Sequence, residues 1–253
     1  RSSNRGACVQ ACRWNFEIRE KGSNGAFMEM EEDDRGTYIL NSKDLNLLDY
    51  IDKLDGAGVC SFKIEGRLKD VRYIKNVVNY YRRQIDDILA RRKDIVRPSV
   101  GRTITEFEPN PQKSFTRGAS QYMLHGKRSG VASFDTPKAV GEYLGRIVSL
   151  TRKGFTLSPA CDLTAGDGIC IISAEGMSGT NINAVEGGNI IPNRMDGIVA
   201  GADVYRNYDH RFALAVDRSR TRRTIDATAH LTLAADGISL TIKDCEGISA
   251  TIT

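Results

Sequence analysis

Hydrophobic and polar residues alternate in three parts of the chain, and this alternation predicts three β-structures. Residues 13–20 and 26–31 flank a Gly/Asn turn and predict a hairpin. Short alternating runs between residues 140 and 205 are separated by Gly and Asp turns, which predicts a small closed β-barrel. Residues 224–253 alternate strictly and predict an antiparallel meander. The strands expected in the barrel are 143–150, 154–157, 168–172, 189–191 and 203–205.

Three other stretches show helical spacing of apolar residues. Residues 45–54 predict a helix that ends at glycines, and a long helix follows residue 67 and ends near residue 91. Short apolar strands at residues 37–40 and 59–64 precede these helices, and this order implies a parallel sheet. Residues 209–217 predict a third helix. The expected buried stripe of the long helix consists of Val71, Ile74, Val78, Tyr81, Ile85 and Ile88.

These elements divide the chain into four segments and indicate the fold class α/β plus β. Two strand–helix units cannot close a sheet, so residues 1–97 are expected to end a larger α/β domain, and the chain is expected to be a fragment. Residues 98–137 contain four of the six prolines and are interpreted as an extended linker. Residues 138–210 hold the β-barrel, and residues 211–253 are interpreted as the start of a further, truncated β-rich domain.

Composition limits the class of protein. The 253 residues are 40% hydrophobic and 27% charged, which excludes wholesale disorder. No apolar stretch approaches the roughly 18–20 residues that a membrane span needs, and no signal peptide is visible. Six cysteines are too few and too scattered for a secreted disulfide scaffold. We therefore expect a cytoplasmic protein with no membrane partner.

One basic run stands out from a net charge of +4 that is otherwise spread evenly. Arg218, Arg220, Arg222 and Arg223 place four guanidinium groups within six residues, and they are candidates for binding nucleic-acid phosphates. The alternative interpretation is a solvated loop or helix end, which is the more common role of such runs.

The sequence lacks the motifs of common hydrolytic and nucleotide-binding sites. The three histidines are isolated, and neither His-Glu-x-x-His nor Gly-x-Ser-x-Gly occurs. A Walker A loop is absent as well. A Cys–His pair stays open, since residues distant in sequence can meet in a fold.

A first candidate site consists of two thiols beside positive charge. Cys8 and Cys12 lie next to Arg5 and Arg13. Thiolates near positive charge are good ligands for soft metals or iron–sulfur clusters. Two thiols are fewer than such a site needs, so the spacing alone does not define one.

A second candidate site follows the predicted strand 59–64. Lys63, Glu65 and Arg67 lie at its C-terminal end, where α/β folds place binding and catalytic groups. Arg67 is suited to hold a carboxylate or phosphate in bidentate fashion. The alternative is a buried ion network that closes the sheet.

With these motifs the chain resembles peptidase family U32, the collagenase-like proteins of unassigned mechanism. The resemblance rests on residues 5–14 (RGACVQACRW), 38–45 (YILNSKDL) and 58–67 (GVCSFKIEGR). Residues 114–118 resemble the Ser-Phe-Asn-Arg-Gly element of the longer members, and residues 140–145 resemble the start of their translation-factor-like β-barrel. The resemblance implies that the first segment supplies the C-terminal strands of a (β/α) barrel, followed by the small β-barrel.

The resemblance implies two kinds of chemistry. Some members are named proteases, including bacterial collagenases, whereas others are iron–sulfur proteins that hydroxylate a tRNA uridine, a ribosomal RNA cytidine or a ubiquinone precursor without oxygen. The longer members look most like the ribosomal RNA branch, so hydroxylation of an RNA base is favoured. A peptidase and a cluster-less binding homologue are the alternatives, and RNA or a peptide is the expected partner. This chain alone is expected to be catalytically inactive.

The resemblance also assigns residues. Cys8 matches a ligand of the family's 4Fe–4S cluster, and Cys12 or Cys60 is a candidate for a further ligand. Asn46 stands where many relatives have a cysteine, so a homologue without a cluster fits the sequence equally well and stays an alternative. Glu65 and Arg67, with Lys63, are expected to line the barrel mouth as catalytic or substrate-binding residues.

Overall fold

The computed structural model describes residues 5, 7–14, 16, 38, 40–66, 69–126, 130–134, 136–235 and 237–253. Residues 15 and 17–31 of the predicted hairpin, residues 37 and 39 of the predicted strand 37–40, and Arg67 lie outside these residues. The assigned helices are α1 (Ile51–Gly56), α2 (Val71–Arg91) and α3 (His210–Arg218). The assigned strands are β1 (Asp44–Leu45), β2 (Arg102–Ile104), β3 (Ala119–Ser120), β4 (Glu142–Leu150), β5 (Phe155–Ser158), β6 (Gly168–Ser173), β7 (Gly176–Glu186), β8 (Asn189–Pro192), β9 (Asp203–Tyr208), β10 (Arg222–Thr224), β11 (Ala227–Ala234), β12 (Gly237–Asp244) and β13 (Ser249–Ile252).

The second and third predicted helices are confirmed, and side chains define where they begin. The first begins later than predicted, because Asp44–Leu45 pair as β1 and the α-helix spans only Ile51–Gly56, after the 3₁₀-helix Leu48–Tyr50. Asp70 precedes α2 and its carboxylate accepts the N–H of Tyr73 at 2.8 Å, while Asp209 caps α3 in the same way. Gly58 closes the turn after α1 with a φ of +93°. Lys75 of α2 donates to the carbonyl oxygens of Val216 and Ser219 at the end of α3, so the two helices are joined there. None of the described helices is both long and apolar enough to cross a membrane.

The burial of α2 differs from the predicted stripe. Its C-terminal half packs Ile88 against Leu48 and Ile51, with Tyr81 and Ile85 at the edge, as expected. Val71, Ile74 and Val78 are instead exposed.

The polar residues Asn76 and Asn79 are buried in their place. Asn76 exchanges two hydrogen bonds with the backbone of Asn110, at 2.6 and 2.7 Å, and Asn79 donates to Thr105 at 2.8 Å. The helix therefore buries a hydrogen-bonding face against residues 105–114, which periodicity of apolar residues does not reveal.

The predicted strand 59–64 is wrong, because residues 59–66 have no regular secondary structure. Phe62 and Ile64 are 38% and 39% exposed. A strand is stabilised by hydrogen bonds to a neighbour, and no described strand pairs with this segment.

Residues 98–137 are hydrogen-bonded to both flanking parts of the chain. Strand β2 pairs antiparallel with β10, and β3 pairs parallel with β1. The segment is therefore anchored on one side to β1, which precedes it, and on the other side to β10, which follows the barrel.

The predicted β-barrel is confirmed, and it is closed by six strands in the order β4-β5-β8-β7-β6-β9. Ile147, Phe155, Ile171 and Val204 are at most 2% exposed and form its centre. Strand β7, the longest of the described strands, is not predicted from the sequence. Its sequence GMSGTNINAVE contains one fully buried residue, Ile182, and hence no apolar alternation.

The predicted meander is confirmed as the antiparallel sheet β11-β12-β13. Its register places all the large apolar side chains on one face, with Leu231 opposite Leu240 and Leu240 opposite Ile252. This apolar face is exposed: Leu231, Leu233 and Ile252 each show about two thirds or more of their surface.

Barrel closure depends on Gly141, which supports a first prediction. Its φ is +92°, and an added Cβ would lie 2.1 Å from the carbonyl oxygen of Arg206 in β9. Gly188, in the β7–β8 turn, has a similar φ of +86° but no atom within 4 Å of that position. We expect Gly188→Ala to cost about 1 kcal/mol through its φ alone. Gly141→Ala must also separate β4 from β9, and the total is expected to reach about 3 kcal/mol.

Urea unfolding of the two variants checks this prediction. Equal losses of unfolding free energy would contradict the prediction, because they would show that the backbone of β9 moves away from an added Cβ at residue 141 without destabilising the barrel.

Candidate functional site

Two motifs that are distant in sequence meet through the parallel pairing of β1 with β3. Asp44 in β1 lies opposite Ala119, and its N–H donates to the carbonyl oxygen of Gly118 at 2.9 Å. Its carboxylate accepts the backbone N–H of Arg117 at 3.0 Å and the guanidinium of the same residue at 2.6 Å. The Ser-Lys-Asp-Leu and Ser-Phe-Thr-Arg-Gly motifs are therefore one structural unit.

The cysteine-containing motif joins this unit through Asn41. The Asn41 side chain is fully buried and donates to the carbonyl oxygens of Ser133 and Thr136, both at 2.7 Å. Its amide oxygen accepts a hydrogen bond from the guanidinium of Arg13. Arg13 ends the 3₁₀-helix Ala11–Arg13, which contains Cys12, so the thiol is placed next to the unit.

Three cationic side chains, Arg13, Lys69 and Arg117, converge here, and we call them the cation cluster. The ammonium of Lys69 lies 3.2 Å from the ring centre of Phe115, and the guanidinium carbon of Arg117 lies 5.5 Å from the same centre. Burial lowers the pKa of Lys69 to about 8, since the positive charges of Arg117 and Arg13 reinforce it and Asp44 opposes it only in part. Burial likewise lowers the pKa of Arg117.

A groove of about 550 Å³ adjoins the cation cluster. Asp44, Tyr73 and Phe115 form part of one side, and the predicted site residues Lys63 and Glu65 also line it. Lys63 and Glu65 form an ion pair of 2.8 Å and are both exposed, with 84% and 68% of their side chains accessible. The buried ion network considered for this pair is therefore wrong. Their predicted catalytic role stays a prediction.

The described residues do not by themselves fit a 4Fe–4S cluster, which requires four thiolates or equivalents. In the described part of the chain no three His, Cys, Asp or Glu side chains lie close enough to hold a metal ion. Asn46 has a local role instead, because its amide oxygen accepts the N–H of Leu48 at 3.1 Å. Cys170 lies buried in the barrel, where desolvation raises its pKa to about 11 and keeps it a thiol. The assignment of Cys8 and Cys12 to a cluster stays a prediction.

The histidines show no nucleophile–base pair. His125 packs against the ring of Tyr50 at 5.0 Å between centres, and His210 lies 6.2 Å from Tyr208. His230 lies on the polar face of the meander, opposite Thr241. Among the residues that the structure describes, no imidazole hydrogen bond to a Ser, Thr or Cys side chain is formed.

The arginine run divides into two pairs. Arg222 and Arg223 lie in β10, where Arg222 forms an ion pair with Glu106 at 3.4 Å and Arg223 donates to Ser99 and to the backbone of Val100. Arg218 ends α3 and Arg220 follows the buried Ser219. Both are exposed, and their side chains find no hydrogen-bond or ion-pair partner within the described ranges.

Sequence reasoning missed Asp44, Lys69, Arg117 and Phe115. Three of these lie in segments already singled out as motifs, so their positions were visible. Their roles were not visible, because the contact depends on the pairing of residue 44 with residue 119.

The fold and the site define a protein with a helical part, a closed β-barrel and a groove beside a cluster of cations. In a comparison with protein-family models, residues 1–132 match Peptidase family U32, and this is slightly more than half of the chain. The chain belongs to this family, and the resemblance seen in its motifs is confirmed.

Three curated relatives place the chain within the family. It is 32% identical to the 23S rRNA 5-hydroxycytidine synthase of Escherichia coli over 100% of this chain and 39% of that protein. The identity with the tRNA hydroxylation protein P of Escherichia coli is 26% over 72% of this chain and 47% of that protein. A collagenase of Porphyromonas gingivalis is 39% identical over 34% of this chain and 19% of that protein. The chain thus spans less than half the length of each. No solved structure matches it.

Proposed function

We propose that this chain is part of an enzyme that hydroxylates an RNA base, with cytidine in ribosomal RNA as the substrate. The observation that carries the proposal is how far each relative aligns. The ribosomal RNA synthase aligns over the whole chain, including the barrel and the meander, whereas the collagenase aligns over 85 residues. Because the alignment with the ribosomal RNA synthase includes the barrel and the meander, it supports the same role for these structures in both proteins.

The charge distribution supports an RNA substrate. RNA is a polyanion, and proteins bind it with exposed cations and with aromatic rings that stack on bases. Arg218 and Arg220, with Arg222 and Arg223 beside them in β10, would bind the RNA backbone outside the groove. Lys63 and Glu65 would bind and position the base in the groove, and Arg67 would act with them on the same substrate.

The cluster belongs to the proposal as well. Cys8 and Cys12 would contribute ligands, completed by groups outside the described residues, and a 4Fe–4S cluster supplies electron transfer when bound. Cys12 lies within electrostatic reach of the Arg117 guanidinium, which places this thiol beside the cation cluster.

Nucleosides from ribosomal RNA test the proposal. We expect 5-hydroxycytidine to be absent when the gene is deleted and to be restored by the natural protein that carries these 253 residues. A Cys8→Ser variant should restore less than about a tenth of it, since outer contacts to a metal site alone are worth 10–100-fold. Cys245→Ser is the matched control, because this thiol is exposed after the meander strand β12, and it should restore the modification fully.

Two results would contradict the proposal. One is an unchanged nucleoside profile in the deletion strain. The other is cleavage of a collagen peptide by the natural protein without any change in RNA, which would favour the peptidase alternative.

A further inference from the structure

The cation cluster contains hydrogen-bond donors that the described residues leave unused. The Nε of Arg117 is buried and has no acceptor. The ammonium of Lys69 is half-buried and, within the described ranges, contacts the rings of Phe115 and Tyr73 but no oxygen acceptor. Buried cationic donors without acceptors are costly. Such donors, gathered at one place, are suited to bind an external oxyanion.

The charge of the site selects the class of anion. Three positive groups, Arg13, Lys69 and Arg117, lie near two carboxylates, Asp44 and Asp70. Both carboxylates are already engaged, Asp44 by Arg117 and Asp70 by the N–H of Tyr73 at 2.8 Å. One positive charge remains in excess among the described residues, which matches the single negative charge of a phosphodiester.

The spatial arrangement of the hydrogen-bond donors also favours a phosphate. A carboxylate has two oxygens and is satisfied by one guanidinium fork, whereas a phosphate group offers acceptors to donors from several directions. Lys69 and Arg117 approach the Phe115 ring at 3.2 and 5.5 Å, and Arg13 is held by Asn41 on a separate segment. Phe115 is 39% exposed and lines the groove, so a phosphate held by these cations would lie at the edge of the groove.

We infer that Arg13, Lys69 and Arg117 form a binding site for one backbone phosphate of the RNA, beside the groove that contains Lys63 and Glu65. The identity of the strand rests on the proposed function, whereas the phosphate site rests on the geometry alone. The bound phosphate fixes the register of the strand, so that a neighbouring nucleotide enters the groove.

Binding of a short single-stranded RNA to the full chain tests this inference without turnover. We expect Lys69→Gln to weaken binding about 5–10-fold at low salt and to reduce the slope of log affinity against log salt by about 0.7, the value for one phosphate contact to a single strand. Lys53→Gln is the matched control. Lys53 is exposed on α1 and lies 5.5 Å above the ring of Tyr50, outside the cluster, and its loss should leave the slope unchanged.

Acylation of the unmodified chain gives a second measurement that needs no variant. RNA should protect Lys69 from acetic anhydride, read by mass spectrometry, and should leave Lys53 reactive. Protection by inorganic phosphate but not by RNA would overturn the assignment to a strand. An unchanged slope in Lys69→Gln together with full reactivity of Lys69 in the presence of RNA would overturn the site. RNA binding through this phosphate site, without any hydroxylated base in cells, would instead contradict the proposed function and leave the site standing.

Discussion

Replacement of Arg206 by methionine is expected to lower the free energy of unfolding by about 3–5 kcal/mol, the range for breaking a buried ion pair from one side. Arg206 in β9 is 9% exposed, and its guanidinium donates to Glu142 at 2.6 and 3.1 Å and to the carbonyl oxygen of Asp162 at 2.8 Å. It also lies 3.4 Å from Asp209 and 3.6 Å from Asp167. Methionine fills a similar volume but leaves three carboxylates in or near the interior without their shared counterion.

The effect should depend on pH in a defined direction. Burial by itself would raise the pKa of Asp209, but Lys113, the N–H of Phe212 and the charge of Arg206 lower it below its usual range. A carboxyl group with a lowered pKa contributes stability that is present above its unfolded pKa of about 3.9 and is lost as the pH falls through its folded pKa. Without Arg206 the carboxylate of Asp209 gains a proton more easily, so the difference in unfolding free energy between variant and wild type should shrink between pH 7 and pH 4.

Chemical denaturation at both pH values measures this, with Arg146→Met as the matched control. Arg146 also lies in the barrel and forms an ion pair with Asp203 at 2.7 Å, but its side chain is 66% exposed. Exposed pairs contribute little to stability, so its loss should be much smaller and nearly independent of pH over this range. Equal losses for the two arginines would show that the Arg206 network is hydrated and does not stabilise the barrel.

The parts of the fold that were predicted correctly are those in which local pattern and burial agree. The meander alternates strictly and forms the sheet β11-β12-β13, and the capping residue Asp209 marks the start of α3. Strand β7 could not be found in this way, since closure of the barrel pairs it with β6 and β8 although its side chains are mostly polar. Tertiary pairing there overrides the local sequence.

At residues 59–64 the opposite holds, because the apolar pattern predicts a strand that the structure does not form. Apolar alternation shows that a segment is suited to a sheet, but the sheet also requires a partner with free backbone groups. The same dependence on a partner explains the buried face of α2. Asn76 is buried because the backbone of Asn110 satisfies its amide group.

The sequence identifies the motifs that contribute to the candidate site, but it does not reveal how their side chains contact one another. Cys8, Cys12, Lys63 and Glu65 were singled out by residue type and position in the chain. Arg117 was part of a motif without an assigned role, since only the β1–β3 pairing brings it to Asp44. A contact between residues 73 positions apart carries no local signal in one sequence.

Replacement of Asn41 by alanine is expected to cost about 3 kcal/mol, because it leaves buried polar groups without partners at about 1–3 kcal/mol each. The carbonyl oxygens of Ser133 and Thr136 lose their donor, and Arg13 loses its acceptor. Asn46→Ala is the matched control: its side chain makes one hydrogen bond, to the N–H of Leu48, and a loss of about 1 kcal/mol is expected. Urea unfolding compares the two, and similar losses would contradict the role given to Asn41.

The same variant separates stability from binding. Asn41 holds Arg13 in the cation cluster, so the folded fraction of Asn41→Ala should bind single-stranded RNA with a salt slope reduced by about 0.7, as for the loss of one phosphate contact. Asn46→Ala should keep the wild-type slope, since Asn46 does not contact the cluster. A wild-type slope in Asn41→Ala would mean that Arg13 reaches the phosphate without its anchor, and that the buried amide serves the packing of residues 133–136 alone.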